Sequence, residues 1–581
     1  MTSGENQNPA TAELGYWRNR QGRRRFILDA SPKLDLYTNP APAREGRPQC
    51  NSALWRPSDS PGAAGSRNTP ALLCTRARAT SWRRATPSGG GHEHTVDNCI
   101  GNTGARWWVV LVLLVGATAA CGGTNTSSPT TTAAQLTGWR APAQFSAPPS
   151  TGNVIEPVSA NPNGLASHGY VEQEYFASGT AYSFTGRATP ANGRWTVAVG
   201  GSAPYATRMI VRRPRDPAKF DGNVVVEWMN VSAGESAPDW DYLNPALMDT
   251  GAAYVAVSTQ ALAVNGGTSL LGSGSMPGLR GVDPARYSGL HHPGDRYSLD
   301  MFAQIGQALR APAPSILGGL HPSHVVAIGE SQSAFYLTTY ADAIQPLDHA
   351  YQGIFIHSRG GGSAPFAGHS VTGAIHGNVR IRTDLNVPVF MFETQSDLIE
   401  LGYAAAQQPN TSKIRTWEVA GTSHADAYEL GVGAAFLGCT TPVNSGPQHE
   451  VAQAAYVAFL RWVDDGTRPP APARFTFSST KPAVLALDAH GNVVGGVRTP
   501  AVDVPASTLS GAPPQGSSVL CGLFGSTVPL DPQSLTAQYG STAGYVAAYT
   551  TDLDRAIAGG YVLRADRASL LAQAAQTSVP S

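Results

Sequence analysis

Charged residues are scarce in this chain of 581 residues, at 14% of the sequence, where soluble domains typically contain about a quarter. Lys and Arg together number 40, and so do Asp and Glu, so the formal net charge is zero. A chain without a basic excess lacks the electrostatic footprint of proteins that bind nucleic acid or an anionic membrane surface. We therefore expect no nucleic-acid partner. Glycine and proline are plentiful, at 63 and 44 residues, which indicates a loop-rich globular protein.

Cysteine is also sparse, with six residues in all. No two of them have the C-x-x-C spacing that is typical of zinc sites and thioredoxin-like motifs, so neither a metal site nor a redox motif is indicated. Cys439 and Cys521 are the two that lie in the region expected to fold. If the protein is exported, these two pair in a disulfide. The alternative is two unrelated buried thiols.

Long apolar runs are lacking as well. The apolar stretch of residues 106–121 ends at Cys121, and it falls short of the roughly 20 residues that a spanning helix needs. Its length suits the hydrophobic region of a signal peptide. Thr118-Ala119-Ala120-Cys121 resembles a bacterial lipobox, although leucine is usual where Thr118 stands. We predict an exported lipoprotein lipidated on Cys121; cleavage followed by secretion, or a simple membrane anchor, are the alternatives.

The regions on either side of this stretch differ in character. Residues 1–105 are rich in Arg, Pro, Ser and Gly, and their apolar residues do not repeat with the period of a helix or a strand. This is typical of a disordered extension or of an initiation codon assigned too far upstream. Residues 122–134 form a Ser/Thr/Pro-rich linker. The folded domain is expected over 135–581. Its part after about 470 has a strand–turn–strand pattern, which indicates a β-containing C-terminal elaboration.

From residue 135 the chain alternates short Val/Ile-rich runs with helical stretches. Strands separated by helices predict an α/β fold, with a mostly parallel sheet that helices cover on both faces. The predicted strands are 207–213, 223–228, 253–258, 324–328, 353–356, 387–392 and 415–419, and helical spacing marks 296–310 and 449–464.

Ser331 lies in the strongest local motif. An apolar strand leads into Gly329-Glu330-Ser331-Gln332-Ser333, and a helical stretch follows. This is the arrangement of a nucleophile elbow, whose strained turn requires small residues two positions before and after the nucleophile. Gly329 and Ser333 meet that requirement, although Gly is more common than Ser at the second position. The pattern predicts Ser331 as the nucleophile of an α/β-hydrolase fold.

A nucleophilic serine needs a base, and the base needs an orienting carboxylate; in this fold the chain order is Ser, acid, His. Asp397 closely follows the predicted strand 387–392, whereas Glu393 comes too early and is expected to remain in the sheet. Asp397 also suits the N-cap of a helix, which is the structural alternative. His424 follows the last predicted strand on a Gly-Thr-Ser loop and is the predicted base.

Acyl transfer also requires donors for the oxyanion. The backbone N–H of Gln332, directly after the nucleophile, is the first expected donor. The second should come from the loop after strand 223–228, where we nominate the N–H of Asn230 or Val231. Residues 358–386 contain a glycine-rich run and are expected to form either a rim over the site or an ordinary loop.

Four segments together resemble a bacterial family of "alpha/beta hydrolase domain-containing" proteins. They are 224–240, 329–333, 420–426 and 496–500, and the resemblance extends over about 150–575. It implies the α/β-hydrolase fold and a Ser–Asp–His triad, but it leaves the substrate open.

These features predict a serine hydrolase that cleaves small-molecule carboxylic esters through an acyl-enzyme. A peptidase or amidase with the same triad is the first alternative. The second is a catalytically silent cell-surface binding protein of the same fold. The sequence indicates no metal or organic cofactor and does not specify an oligomeric state.

Overall fold

The computed structural model describes residues 140–580, except 163, 270–273, 369–376 and 513–517, together with two short strands near the N-terminus. The predicted signal segment, Cys121 and the 122–134 linker lie outside the described residues. Within the described part of the chain, no helix is long and apolar enough to cross a membrane.

Strands are numbered in chain order. Their bounds are β1 Trp17–Arg18, β2 Arg24–Arg25, β3 Gln144–Ser146, β4 Tyr170–Thr189, β5 Arg194–Pro214, β6 Asn223–Trp228, β7 Ala253–Val257, β8 Gly267–Thr268, β9 Ser275–Met276, β10 His324–Glu330, β11 Gly353–His357, β12 Val389–Glu393, β13 Ile414–Glu418, β14 Phe477–Thr480, β15 Ala483–Leu485, β16 Ser507–Ser510 and β17 Ser526–Pro529.

The α-helices are numbered in the same way. Their bounds are α1 Pro238–Thr250, α2 Ala261–Asn265, α3 Gly278–Val282, α4 Pro284–Tyr287, α5 Ser298–Leu309, α6 Pro314–Leu317, α7 Gln332–Thr339, α8 Gln345–Asp348, α9 Gln395–Ile399, α10 Ala427–Leu430, α11 Gln448–Asp464, α12 Pro500–Asp503, α13 Val519–Phe524, α14 Pro532–Tyr539, α15 Thr542–Ala558 and α16 Arg567–Ala574.

The centre of the described structure is a nine-stranded sheet in the order β13-β12-β11-β10-β6-β7-β5-β4-β3. The strands from β13 to β7 pair in parallel. The pairs β7–β5, β5–β4 and β4–β3 are antiparallel. The sheet is therefore mostly parallel, as the sequence predicted. Because β13, β12, β11, β10 and β6 run the same way, the loops that follow them meet at one edge.

Helices cover both faces of this sheet. Alternate residues of the buried strands point to opposite faces, so Val224 and Val226 join one apolar cluster while Val225 joins another. The first cluster is closed by α5 and α7, which contribute Phe302 and Phe335 among others. Helices α1 and α11 close the second cluster. The expectation of a sheet covered on both faces is confirmed.

The antiparallel part of the sheet departs from the sequence prediction. The predicted strand 207–213 is the buried end of the much longer β5, and its partner β4 was not predicted at all. From Arg194 to Pro204 most β5 side chains are exposed or half-buried. Within this stretch Trp195, Val197 and Val199 are half-buried against the first cluster, so the sequence did carry an alternating strand signal here that the prediction did not use.

The region after residue 470 is also richer in helix than its sequence pattern indicated. It contains β14 to β17, as a β-containing elaboration should, and an antiparallel bridge joins Leu487 to Val493 at the predicted turn. It also contains α12 to α16. Helices α14, α15 and α16 pack around a separate apolar cluster that includes Tyr545 and Leu553, whereas Phe524 of α13 belongs to another small cluster. We call residues 470–580 the C-terminal tail.

Candidate active site

Ser331 occupies a sharp turn between β10 and α7. Its backbone angles are φ 57° and ψ −117°, a conformation that side-chain-bearing residues rarely adopt and that is strained. The turn packs tightly, because a Cβ on Gly329 would lie 3.0 Å from the Ser333 Cβ and 3.1 Å from the Leu337 Cδ1. The Ser331 N–H donates to the His357 carbonyl, 3.0 Å away on the neighbouring strand. The turn therefore holds the Ser331 hydroxyl at the carboxyl edge of the sheet.

The two predicted partners of Ser331 lie next to it. His424 Nε2 is 2.7 Å from the Ser331 Oγ, and His424 Nδ1 is 2.6 Å from the Asp397 Oδ1. The second contact favours the tautomer in which Nδ1–H donates to the carboxylate, leaving Nε2 to accept from the serine. The loops after β10, β12 and β13 thus bring the three residues into one hydrogen-bonded chain.

Asp397 has two structural roles at once. Its Oδ2 accepts hydrogen bonds from the Thr394 N–H at 2.7 Å and from the Thr394 hydroxyl at 2.8 Å. These bonds form the capping box of α9. The sequence-based alternative that Asp397 is itself the N-cap is wrong, because Thr394 is the N-cap and Asp397 is the third residue of α9. The capping-box bond and the contact with His424 coexist, because each uses a different carboxylate oxygen.

Glu393, the rival acid, is the last residue of β12 and is fully buried. Neither of its carboxylate oxygens has a hydrogen-bond partner among the described residues. Burial raises the pKa of Glu393 well above its usual value, and the nearby Asp397 adds to that rise. The structure therefore places Asp397, and not Glu393, against His424.

The predicted oxyanion donors differ in their surroundings. The Gln332 N–H is the first amide of α7, one of the donors that a helix leaves without an internal partner. The choice of Asn230 is wrong, because its N–H is bonded to the Ser236 carbonyl at 2.9 Å in a backbone bridge. The Val231 N–H faces the elbow and donates to the Gln332 Oε1 at 3.1 Å. Of the two nominated amides, only that of Val231 faces the elbow.

A known protein family matches most of the described part of the chain. Residues 140–572 match the model of a family described as "Alpha/beta hydrolase domain". The chain belongs to this family. No curated protein matches the sequence. The sequence-based resemblance to "alpha/beta hydrolase domain-containing" proteins is therefore confirmed, and so is the α/β-hydrolase fold.

Three solved structures are similar to parts of this hydrolase. A putative dienelactone hydrolase from Klebsiella pneumoniae is 14% identical with a TM-score of 0.26, and the match covers 49% of this chain and 99% of that one. An esterase from the fungus Rhizomucor miehei is 11% identical with a TM-score of 0.28, covering 51% and 84%. The esterase Est22 is 13% identical with a TM-score of 0.23, covering 42% and 73%. Likenesses this weak say nothing about the substrate.

Glu330 is a further residue of the hydrolase's site that the sequence analysis did not select. Its Oε1 lies 3.6 Å from the His424 Nε2, and the Asn230 side-chain amide donates to its Oε2 at 3.3 Å. Burial raises the pKa of Glu330 well above its usual value, and neighbouring carboxylates, with Glu429 first, raise it further. The sequence offered one signal, an acid directly before the predicted nucleophile.

The C-terminal tail contacts the loops that carry Asp397 and His424. Gly511 accepts a hydrogen bond from the Ser396 hydroxyl at 2.6 Å and donates its N–H to the Gln395 Oε1 at 2.7 Å. The Ala425 N–H, next to His424, donates to the Leu523 carbonyl at 3.2 Å. Tail backbone thus supports both the acid turn and the base loop.

A disulfide joins Cys439 to Cys521, which is the first of the two states that the sequence analysis considered. It links the segment after His424 to α13 of the tail. Among the described residues, no group of three or more His, Cys, Asp or Glu side chains is arranged to hold a metal ion.

Proposed function

We propose that this protein is a serine hydrolase that cleaves carboxylic esters through an acyl-enzyme. The observation that carries the proposal is the hydrogen-bonded chain from the Ser331 Oγ through His424 to Asp397, with distances of 2.7 and 2.6 Å. A serine at such an elbow, paired with a histidine that a carboxylate orients, is the arrangement needed for nucleophilic acyl transfer.

In the first half of the reaction, the Ser331 Oγ bonds to the ester carbonyl carbon while His424 Nε2 takes the hydroxyl proton. The Asp397 carboxylate stabilises the resulting imidazolium. When the tetrahedral intermediate collapses, the bond to the alcohol oxygen breaks and His424 returns the proton to that oxygen. Water then repeats the sequence on the acyl-enzyme, releasing the carboxylic acid and restoring Ser331.

The oxyanion of the intermediate is assigned to the N–H groups of Gln332 and Val231. In the free protein the Gln332 Oε1 already accepts from the Val231 N–H. A substrate carbonyl oxygen that uses this donor must displace the Gln332 side chain. This exchange replaces one hydrogen bond with another, so its free-energy cost is small in the ground state. The new hydrogen bond from the Val231 N–H to the substrate then strengthens as negative charge develops on the carbonyl oxygen.

Esters are the proposed substrates because the alcohol oxygen of an ester needs less assistance to leave than the nitrogen of an amide. The decisive experiment is labelling of the purified protein with a fluorophosphonate probe, followed by assays on ester and peptide panels. We expect labelling and ester turnover in the wild type and neither in Ser331→Ala. A wild-type protein that resists the probe and hydrolyses no ester would contradict the proposal and favour a catalytically silent binding protein.

We also infer that the enzyme acts outside the cytoplasm and is anchored through lipid on Cys121. The Cys439–Cys521 disulfide supports export, since structural disulfides persist mainly in oxidising compartments. In cell fractionation, the wild type should remain with the membrane. The Cys121→Ser variant should either keep its uncleaved signal peptide or be released from the membrane. Equal labelling of both proteins by a fatty-acid analogue would contradict lipidation at this residue.

A further inference from the structure

The Glu330 side chain, directly before the proposed nucleophile, lies on the face of the sheet that α1 and α11 cover. Ile328, two positions earlier in β10, belongs to the apolar cluster that those helices close, and alternate residues of a strand point to the same face. The base loop is tied to this face, because the Tyr242 hydroxyl of α1 donates to Asp426, two residues after His424, at 3.1 Å. Glu330 and the base loop therefore share one face.

The carboxyl group of Glu330 is held by the Asn230 side chain. The Asn230 Nδ2 lies 3.3 Å from the Glu330 Oε2 and 3.3 Å from the Glu330 carbonyl oxygen. The Asn230 backbone is fixed in turn by its bridge to Ser236. These contacts leave the Glu330 Oε1 facing His424, whose Nε2 is 3.6 Å away. The side chain is buried, with 3% of the residue exposed, so this placement is well defined.

Two carboxyl groups of the described residues lie against the His424 ring, and they meet different nitrogens. Asp397 contacts Nδ1 at 2.6 Å, and Glu330 approaches Nε2 at 3.6 Å. In a triad, Nε2 is the nitrogen that exchanges protons with the reacting oxygens. A distance of 3.6 Å is too long for a direct hydrogen bond, but one water can lie about 2.8 Å from both atoms. Glu330 is therefore placed beside the reacting atoms.

The two halves of the proposed reaction make different demands on this position. In acylation the nucleophile is the Ser331 hydroxyl, which the strained turn already holds 2.7 Å from the His424 Nε2. In deacylation the nucleophile is a free water, which has no such attachment. Fixing a free reactant in a productive orientation is a large part of the barrier to its reaction. A second hydrogen bond to the nucleophile therefore favours deacylation more than acylation.

The electrostatic surroundings of Glu330 suit a group that binds water without removing its proton. Burial raises the pKa of Glu330 well above its usual value, as do carboxylates on the neighbouring elements, of which Glu429 of α10 has the largest effect. A neutral carboxyl group has one donor and one acceptor for hydrogen bonds. It can therefore orient a water while His424 remains the base.

We propose that Glu330 is a catalytic residue of deacylation, where it and the His424 Nε2 together hold the water that hydrolyses the acyl-enzyme. This inference rests on the proposed ester hydrolysis. The water oxygen bonds to the acyl carbonyl carbon while one of its protons passes to the His424 Nε2. The bond from that carbon to the Ser331 Oγ then breaks, the proton moves from Nε2 to Oγ, and the carboxylic acid leaves. Glu330 neither gains nor loses a proton.

The test follows p-nitrophenyl acetate in the wild type, in Glu330→Leu and in Glu330→Ala. Both variants remove the carboxyl group, one with a side chain of similar size and the other with a smaller one. Because p-nitrophenolate leaves readily, kcat reports mainly deacylation, whereas kcat/KM reports acylation. We expect kcat to fall about tenfold, the effect of losing one hydrogen bond, while kcat/KM changes less than about twofold. Acetylated Ser331 should accumulate in mass spectra of both variants.

Two further variants separate hydrogen bonding from other effects. Glu330→Gln keeps one donor group and one acceptor and should retain kcat within a few-fold of the wild type. Glu429→Leu is the matched control, because it removes a neighbouring carboxyl group that contacts the Tyr242 hydroxyl at 3.4 Å. It should leave kcat and the amount of acetylated enzyme as in the wild type. Fluorophosphonate labelling at the wild-type rate checks that each variant is folded with an intact elbow.

The outcomes that would overturn this role are distinct from those that concern the proposed function. Wild-type kcat in Glu330→Leu and Glu330→Ala, or equal losses of kcat and kcat/KM without acetylated enzyme, would exclude a role in deacylation. Loss of kcat in Glu330→Gln as large as in Glu330→Leu would show that charge matters, not hydrogen bonding to water. If the wild type neither becomes acetylated nor hydrolyses any ester, it is the proposed function that fails.

Discussion

The carboxyl edge of the central sheet and the C-terminal tail both contribute to the site, but in different ways. The sheet edge presents the side chains of the proposed triad, Ser331, Asp397 and His424, on turns that closely follow buried strands. The tail approaches the same turns with backbone groups of Gly511 and Leu523. The proposed triad thus lies on the parallel core of the sheet, while hydrogen bonds from the tail hold the loops of its acid and its base.

The largest expected effect lies on the sheet side of this comparison. Asp397→Asn should lower kcat about 10⁴-fold, because an asparagine favours the wrong histidine tautomer. The matched control is Glu393→Gln, which also removes a buried carboxylate near the same strand end but does not contact His424. It should keep kcat within a few-fold of the wild type in steady-state ester assays. Equal losses in both variants would contradict the assignment of the acid.

The second test concerns the covalent link to the tail. Cys439→Ser with Cys521→Ser should lower the free energy of unfolding by about 4 kcal/mol, because the link restricts a long loop in the unfolded chain. The two cysteines are 82 positions apart. Chemical unfolding would measure the loss, and the remaining folded protein should still react with the fluorophosphonate probe. Unchanged stability would show that the tail is held by its other contacts.

A smaller effect is expected when the contact between the tail backbone at Gly511 and the loops of the acid and the base is disturbed. A Cβ on Gly511 would lie 2.7 Å from both the Ser396 N and the Thr422 O, so Gly511→Ala should separate the acid turn from the base loop. Displacements of about 1 Å can cost around 10² in rate, and we expect a loss of kcat on that scale. Gly433→Ala, where a Cβ meets nothing within 4 Å, is the control. Equal kcat in the two variants would show that the tail is dispensable for catalysis.

The smallest test examines the pH dependence of stability where α11 faces the tail. Burial, together with repulsion from the tail residue Asp566, raises the pKa of Glu450 from 4.5 to about 8. A carboxyl that holds its proton more tightly when folded stabilises the protein at low pH. That contribution declines as pH rises from about 4.5 to about 8. Glu450→Gln should reduce this decline in urea unfolding at pH 5 and pH 8. If the free energy of unfolding falls equally between pH 5 and pH 8 in the wild type and in Glu450→Gln, the role of Glu450 is contradicted.

The parallel part of the fold could be predicted because its signals are local. The strand β6 was placed at 223–228 from its run of valines, since a strand buried on both faces must be apolar throughout. The elbow was recognisable because its strain demands small residues at fixed positions. Chain order then placed the acid and the base.

Other features depend on contacts that no local pattern encodes. The unpredicted strand β4 gains most of its hydrogen bonds from β5, so its residues need not alternate in polarity. The Asn230 N–H was nominated by position in the loop, but a bridge to Ser236 removes it from the site. Glu330 is near His424 only because β10 and β13 end at the same edge.

The sequence by itself determined the α/β-hydrolase class, the elbow at Ser331 and the order of its expected partners, because these follow from side-chain size and polarity along short segments. The tertiary structure decided which carboxylate meets His424, which loop amide faces the elbow, and how the tail supports the acid and base. Those choices depend on distances between residues far apart in the chain, and only the packed sheet sets such distances.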